Sequence, residues 1–266
     1  MRAFHLNCGS FCPLGWHQHA DGSPGMVCHC LVIETPSGLV LVDTGFGTAV
    51  MEQKAALIGQ AIKVFGRPVF DPQETALAQL LARGYQASDV RHIVVTHLDP
   101  DHAGGIADFP HAKIHVYEAE LREALNPRFS QRARYRQGLW AHAPKWVPHL
   151  EHGEGWFGFE AVRDLPGLPP EVLLVPLIGH TAGHCGVAVD LGSRWLLHCG
   201  DAYFHAGEMA DPPRCPAALR VTQRLLAVDN AARLHNQAKL RALRQREGAD
   251  VQLFSAHDTS EFLAYA

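Results

Sequence analysis

Thr96-His97-Leu98-Asp99-Pro100-Asp101-His102-Ala103-Gly104-Gly105 follows directly on the apolar, β-branched run Ile93-Val94-Val95. An apolar run that stops at a polar stretch containing Pro and Gly reads as a buried strand ending in a loop. Four potential metal ligands, His97, Asp99, Asp101 and His102, fall within six residues of that loop. His97 and Asp99 alternate and can point at one ion, while the adjacent pair Asp101-His102 can turn toward a second. Imidazole and carboxylate are donors for zinc, and also for iron and manganese. Gly104-Gly105 would let backbone approach such ions closely.

Three further stretches repeat the pattern. Gly179-His180-Thr181-Ala182-Gly183-His184 follows Val172-Leu173-Leu174-Val175, and Gly200-Asp201 follows Trp195-Leu196-Leu197-His198-Cys199. Ser255-Ala256-His257-Asp258 follows Val251-Gln252-Leu253-Phe254. Each candidate ligand therefore sits just past an apolar strand, where a rigid sheet can hold a loop in position.

Together with Leu41-Val42-Asp43-Thr44-Gly45, these motifs, in this order from about Phe4 to His257, resemble the metallo-β-lactamase-fold metallohydrolases, a superfamily with lactonase- and glyoxalase II-like members. The resemblance implies an α/β protein built as a four-layer αββα sandwich, here one domain over residues 1–266. It implies two divalent metal ions, zinc first, with manganese or iron as alternatives. One ion would be held by His97, Asp99 and His184, and the other by Asp101, His102 and His257. Asp201 would bridge them, and a hydroxide shared by the metals would be the nucleophile, so that Asp101 and Asp201 serve catalysis as well as binding. In the Gly-His-Thr-x-Gly-His motif the resemblance gives the ligand role to His184 and leaves His180 a structural role in the turn. Tyr203, close behind Asp201, stands within about one position of a tyrosine that assists the oxyanion in lactonase-like relatives. Asp43 would support the metal loop from behind the ligands, although Asp-Thr-Gly is also a good plain turn.

The chain departs from the family at one place: most members carry a second histidine where Asp99 stands. A carboxylate there still binds metal, but it adds negative charge and hardens the site. Two dications against Asp99, Asp101, Asp201 and one hydroxide leave a formally neutral centre, which should make the bound water less acidic.

Bulk properties bound the function. Ligands spread from His97 to His257 must converge, which favours one domain in the 266 residues, and a hydrophobic share of 47% supports a substantial core. A net charge of −4 argues against a nucleic-acid surface. No run approaches the roughly 20 apolar residues of a membrane span, and the N-terminus lacks a signal-peptide core, so the expected location is the cytoplasm. Seven cysteines, an odd number, argue against a disulfide framework. Cys8, Cys12, Cys28 and Cys30 lack the spacing of a zinc knuckle; Cys28 and Cys30 read as small core residues on one face of a strand.

Strands are expected at residues 2–8, 27–33, 39–42, 91–96, 113–117, 171–175, 185–191, 194–199 and 251–254. Residues 47–64 read as a helix or broken helix. Asp71-Pro72-Gln73-Glu74 reads as a helix start, with Asp71 as N-cap, Pro72 at N1 and Glu74 at N3; Gly84 is the stop. Residues 118–125 form a short helix, and 216–247 form two helical segments around Asp229. Residues 126–160 carry Arg128, Arg132, Arg134, Arg136, Trp140, Trp146, Trp156 and little periodicity. Such a stretch is either a lid over the substrate or a surface excursion pinned by its tryptophans. As a lid, its arginines favour an anionic small-molecule substrate. His17 and His19 lie in a loop that could reach the site.

The leading expectation is a dinuclear metal-dependent hydrolase of a small ester, lactone or thioester. The rivals are an iron-dependent oxidoreductase of the same fold, similar to persulfide dioxygenases, and a non-catalytic metal- or ligand-binding protein. The substrate and the oligomeric state carry no readable motif.

Overall fold

The computed structural model describes residues 1–13, 24–53, 55–60, 62–150, 153–161 and 165–265. His17 and His19 lie outside the described residues. Thirteen strands appear among the described residues: β1 Arg2–Phe11, β2 Met26–Thr35, β3 Gly38–Val42, β4 Pro68–Val69, β5 Val90–Val94, β6 Lys113–Tyr117, β7 Lys145–His149, β8 Glu154–Trp156, β9 Phe159–Ala161, β10 Val172–Pro176, β11 Cys185–Asp190, β12 Trp195–His198 and β13 Val251–Phe254. The first sheet has the order β4-β1-β2-β3-β5-β6-β7 and the second β10-β11-β12-β13, while β8 and β9 form a separate hairpin. β4, β1, β2 and β3 pair antiparallel in turn, β3, β5, β6 and β7 run parallel, and β13 adds to the second sheet parallel to β12.

The strands are apolar on both faces because both faces are covered. Leu31, Ile33, Val40, Val42 and Val94 of the first sheet meet Val172, Leu174, Val187, Val189 and Leu196 of the second. The alternate residues of the first sheet, among them Cys30, Val32, Leu41 and Ile93, pack outward against Leu80, Ile106, Phe109 and Leu121. On the far side, Leu173, Val175 and Leu197 pack against Leu240 and Leu243. Helix, sheet, sheet and helix thus stack as the four-layer αββα sandwich. Cys8, Cys28 and Cys30 are buried in the outward layer of the first sheet, and none of the described cysteines forms a disulfide.

The helices follow their caps. Residues 47–64 are broken into α1 (Thr48–Gln53), α2 (Ala55–Ile58) and a π turn at Ile62–Gly66. The expected single helix from Asp71 is two pieces. Asp71 caps only a 3-10 turn, Pro72–Glu74, and Thr75, in extended backbone, starts α3 (Ala76–Ala82) by accepting from the Ala78 N–H. Glu74 is drawn away from the cap by Ser10, whose hydroxyl donates to it at 2.6 Å. α4 (Pro100–Ala103) is one turn within the quoted stretch, and α5 (Glu118–Leu125) follows β6. α6 (Ala217–Leu226) and α7 (Asn230–Glu247) separate at Asp229, which caps α7 by accepting from the Ala231 and Ala232 N–H groups. α8 (Thr259–Leu263) closes the described chain. No helix among the described residues is long and apolar enough to cross a membrane.

The segment 126–160 is partly sheet. Lys145–His149 (β7) extends the first sheet as its parallel edge, which a stretch without clear alternation had concealed. Tyr135, Leu139 and Trp140 are buried in the outer core.

Candidate metal centre

β5 delivers the quoted stretch to the edge of the sandwich, and the loop after β3 braces it. Asp43, at φ +57°, accepts from the Thr96 N–H at 2.7 Å and from the Thr96 hydroxyl at 2.8 Å. The same carboxylate contacts His102 Nδ1 at 2.8 Å. Thr44 donates its N–H and its hydroxyl to the His102 carbonyl. A Cβ on Gly105 would stand 2.9 Å from the Thr44 carbonyl oxygen, and one on Gly104 2.4 Å from that of Pro100. The glycine pair therefore makes room for the neighbouring loop rather than for an ion.

Two groups of donor atoms face each other across Asp201. Asp201 Oδ1 lies 3.2 Å from His102 Nε2 and 3.1 Å from His257 Nε2, and Asp101 Oδ2 lies 3.5 Å from the latter. Asp201 Oδ2 lies 3.2 Å from His180 Nε2 and 3.8 Å from His97 Nε2. Asp99 Oδ2 joins this second group, 3.1 Å from His180 Nε2 and 3.4 Å from His97 Nε2. Within each of the trios Asp101–His102–His257 and His97–His180–Asp201, the donor atoms are mutually close enough for one ion.

The residues fit metal on their own chemistry. His97 Nε2, His102 Nε2 and Asp201 Oδ1 are buried without a hydrogen-bond partner, a costly state for polar atoms unless a cation completes them. The opposite ring nitrogens are held from outside: His102 Nδ1 by Asp43, His257 Nδ1 by the Val27 carbonyl at 2.8 Å, and His97 Nδ1 by the Thr96 hydroxyl at 3.0 Å. Such contacts orient Nε2 toward the centre. Burial disfavours the Asp201 carboxylate, yet His257 and His102 hold its pKa well below the usual range. Burial likewise opposes charge on His102 and His257, but Asp201 and the neighbouring carboxylates raise both imidazoles.

Two expected residues are placed elsewhere. His184 is not among the converging donors, because both its nitrogens are committed. Nδ1 donates to the Leu177 carbonyl at 2.8 Å, and Nε2 accepts from the Asp201 N–H at 2.8 Å. Gly200, at φ +52°, permits this approach, since a Cβ there would stand 2.5 Å from His184 Nε2. His180, expected only to shape the turn, takes the position facing Asp99 and Asp201. Tyr203 also points away: its hydroxyl donates to Glu261 at 3.1 Å, and the residue is fully buried. Phe204, one position later, faces the centre, its ring 4.8 Å from that of His257 and 6.0 Å from that of His180. Tyr203→Phe is accordingly expected to change turnover by less than about threefold while costing about 1 kcal/mol of stability. Steady-state kinetics beside thermal melts checks this, and a hundredfold loss of turnover would return the tyrosine to the site.

Glu261 gathers Tyr203 and the Ser255 N–H, joining the Asp201 and His257 loops. Burial, with Asp258 nearby, pushes its pKa up to about 7 from 4.5. A raised folded-state value contributes stability below pH 4.5 that is lost as pH climbs through about 7. Glu261→Gln should therefore gain on the parent by up to about 3 kcal/mol between pH 5 and pH 8. Melts of both proteins across that range decide it; a constant difference would refute it.

Two functional neighbours had no motif. Glu120 on α5 is fully buried and accepts from the Leu98 N–H, the Thr181 hydroxyl, the Gly183 N–H and the Tyr135 hydroxyl, at 3.0, 2.6, 3.1 and 3.1 Å. It ties the His97 loop to the His180 loop. Arg134 stands 3.1 Å from Asp99 Oδ1 through Nε. Burial disfavours ionisation of Asp99, but Arg134 and His97 hold its pKa well below the usual carboxylate range. The only sequence signal for Arg134 was a charge inside a poorly periodic stretch, and Glu120 was one of three glutamates in a short expected helix.

Comparison with known proteins agrees with this fold. The model of the metallo-beta-lactamase superfamily matches residues 23–253. A probable metallo-hydrolase of Mycobacterium tuberculosis is 44% identical over 261 residues, 97% of this chain and 80% of its own. An N-acyl homoserine lactonase of Bacillus thuringiensis is 27% identical over 161 residues, 60% of this chain and 57% of its own. A solved N-acyl homoserine lactone hydrolase, with its product N-hexanoyl-L-homoserine at the catalytic metal centre, superposes with a TM-score of 0.73 at 20% identity, covering 98% of this chain and 95% of that one. With the sandwich, the order of the loops and these relatives in agreement, the chain belongs to the metallo-β-lactamase superfamily and is a metal-dependent hydrolase.

Proposed function

We propose that the chain is a dinuclear hydrolase of small lactones, esters or thioesters. The observation that carries this reading is Asp201, whose two carboxylate oxygens face two separate groups of donors. His97, Asp99 and His180 would hold one ion and Asp101, His102 and His257 the other, with Asp201 shared. Four imidazoles and three carboxylates suit zinc best, with manganese or iron accommodated by the oxygen donors. Two divalent ions so held supply an acidified water and a Lewis acid for a substrate carbonyl oxygen. The protein's part is to orient the donors through Asp43, Thr96 and the Val27 carbonyl, and to keep bulk water from one wall with the Phe204 ring.

The substrate class is argued from the segment that carries Arg134, where none of the seven donors lines the groove. Leu57, Leu125, Pro127, Tyr135, Arg132 and Arg136 line a groove of about 670 Å³. Its apolar wall and two guanidinium groups suit a molecule with an acyl portion and an anionic or strongly polar end. On this reading residues 126–144 cover the substrate and belong to the same domain as the sandwich. The lactonase relatives support the ester class of substrate.

Metal content of protein purified without added metal, with turnover on a panel of lactones, esters and thioesters, tests the proposal. About two zinc or manganese ions per chain with turnover is the expected result. One iron per chain without hydrolysis would overturn it in favour of redox chemistry. His180→Ala should lose metal from one position, whereas His184→Ala should retain both ions and lose thermal stability; the reverse pattern would restore His184 as the ligand.

A further inference from the structure

Asp99 raises a problem that the sequence leaves unsolved. A third carboxylate beside Asp101 and Asp201 adds a negative charge to a dry pocket that, in most of the resembling family, holds a neutral imidazole at that position. The structure supplies the answer from the segment between the metal motifs. Arg134 reaches back into the site until its side chain is only 10% exposed, and Nε stands 3.1 Å from Asp99 Oδ1. The contact is electrostatic: the N–H does not aim along it, and Asp99 Oδ1 accepts no hydrogen bond. The rest of the guanidinium is pinned by backbone. One terminal nitrogen donates to the His180 carbonyl at 2.9 Å and the other to the Leu226 carbonyl at 2.6 Å. Asp99 is the only carboxylate in ion-pair contact with it among the described residues.

We infer that Arg134 is the positioning residue that makes a carboxylate workable at position 99: the pair Asp99–Arg134 presents one oxygen, Oδ2, to the metal centre and carries no net charge, as a neutral histidine there would. The geometry divides the labour. Oδ1 is held on the guanidinium side, while Oδ2 stands 3.1 Å from His180 Nε2 and 3.4 Å from His97 Nε2. A buried guanidinium also needs its anion. Without a carboxylate at position 99 it would face the incoming cation unpaired, at a distance where like charges repel strongly in a medium of low polarity. The neutrality expected from counting carboxylates is thus corrected, because Arg134 returns the charge that Asp99 adds. The same contacts explain why this segment lies where it does, since Arg134 ties it at once to the Asp99 loop, the His180 loop and the end of α6.

The inference rests on Asp99 being a ligand, and the test separates the two. Zinc affinity is read by competition with a chromophoric chelator for the parent, Asp99→His, Arg134→Gln and the double variant. The parent binding about two zinc ions tests the dinuclear reading by itself. For the inference, Asp99→His alone should bind zinc at least about tenfold more weakly than the parent, although histidine is the family's usual ligand there. In that background Arg134→Gln should recover the loss, whereas in the parent it should weaken binding or leave it unchanged. Asp99→His keeps every backbone contact of Arg134, so it tests the idea even if Arg134→Gln fails to fold. Zinc binding by Asp99→His as tight as that of the parent, or an equal effect of Arg134→Gln in both backgrounds, would overturn it.

Discussion

Asp201→Ala is expected to lower turnover by about a thousandfold or more and to reduce the bound metal to one ion per chain or fewer. The reason is geometric. This side chain stands between the His102 and His257 Nε2 atoms at 3.2 and 3.1 Å and the His180 Nε2 atom at 3.2 Å. Asp99 contacts imidazoles only on the His97 side and Asp101 only on the His257 side, so among the described residues Asp201 alone faces both. Alanine leaves cationic sites to be built from imidazoles and two outer carboxylates, with nothing negative at the middle to offset the repulsion between two dications. The fold should survive, because the Asp201 backbone N–H keeps its bond to His184 Nε2. Elemental analysis and kinetics on the same preparation read both effects. Two tightly held ions with turnover within tenfold of the parent would show that Asp201 is not the shared ligand.

Glu120→Ala should be the most damaging change outside the donor set, at about 3–5 kcal/mol of stability. Four donors converge on this carboxylate, two of them backbone N–H groups that cannot turn to find another partner. Each buried donor left without an acceptor costs about 1–3 kcal/mol. In a chain of this size the melting midpoint should fall by about 10 °C. Because Leu98 and Gly183 belong to the loops carrying His97 and His180, zinc affinity should fall with it, whereas a surface Glu→Ala change of α5 such as Glu118→Ala should alter neither. Glu120→Gln, which retains one acceptor oxygen, should lie between. Melting and chelator competition on the three variants settle the matter; a change below about 1 kcal/mol for Glu120→Ala would mean that water replaces the carboxylate without loss.

The layers and the order of the loops were legible because they follow from local pattern. Runs such as Ile93-Val94-Val95 and Leu173-Leu174-Val175 are apolar on both faces, and a strand buried on both faces has no other way to read. Of the seven residues expected as ligands, six converge on the site, and each was announced by a polar side chain just beyond such a strand. Edge strand β7 was not legible: a parallel edge strand with intermediate burial carries no clean alternation.

What the sequence by itself determined was the identity of the strands, the loops in which the chemistry gathers and the family that arranges them so. Only the tertiary structure set His180 rather than His184 facing Asp99 and Asp201, turned Tyr203 away from the centre and brought Arg134 to Asp99 and Glu120 to the two loops. Strand patterning has a period that the chain writes residue by residue. The direction of a side chain in a turn depends instead on backbone such as Gly179 and Gly200, both at positive φ, and on partners far off in the chain, as with His180 and Asp99, 81 residues apart. A buried charge finds its partner through space, so the pairing becomes visible only when the chain has closed around it.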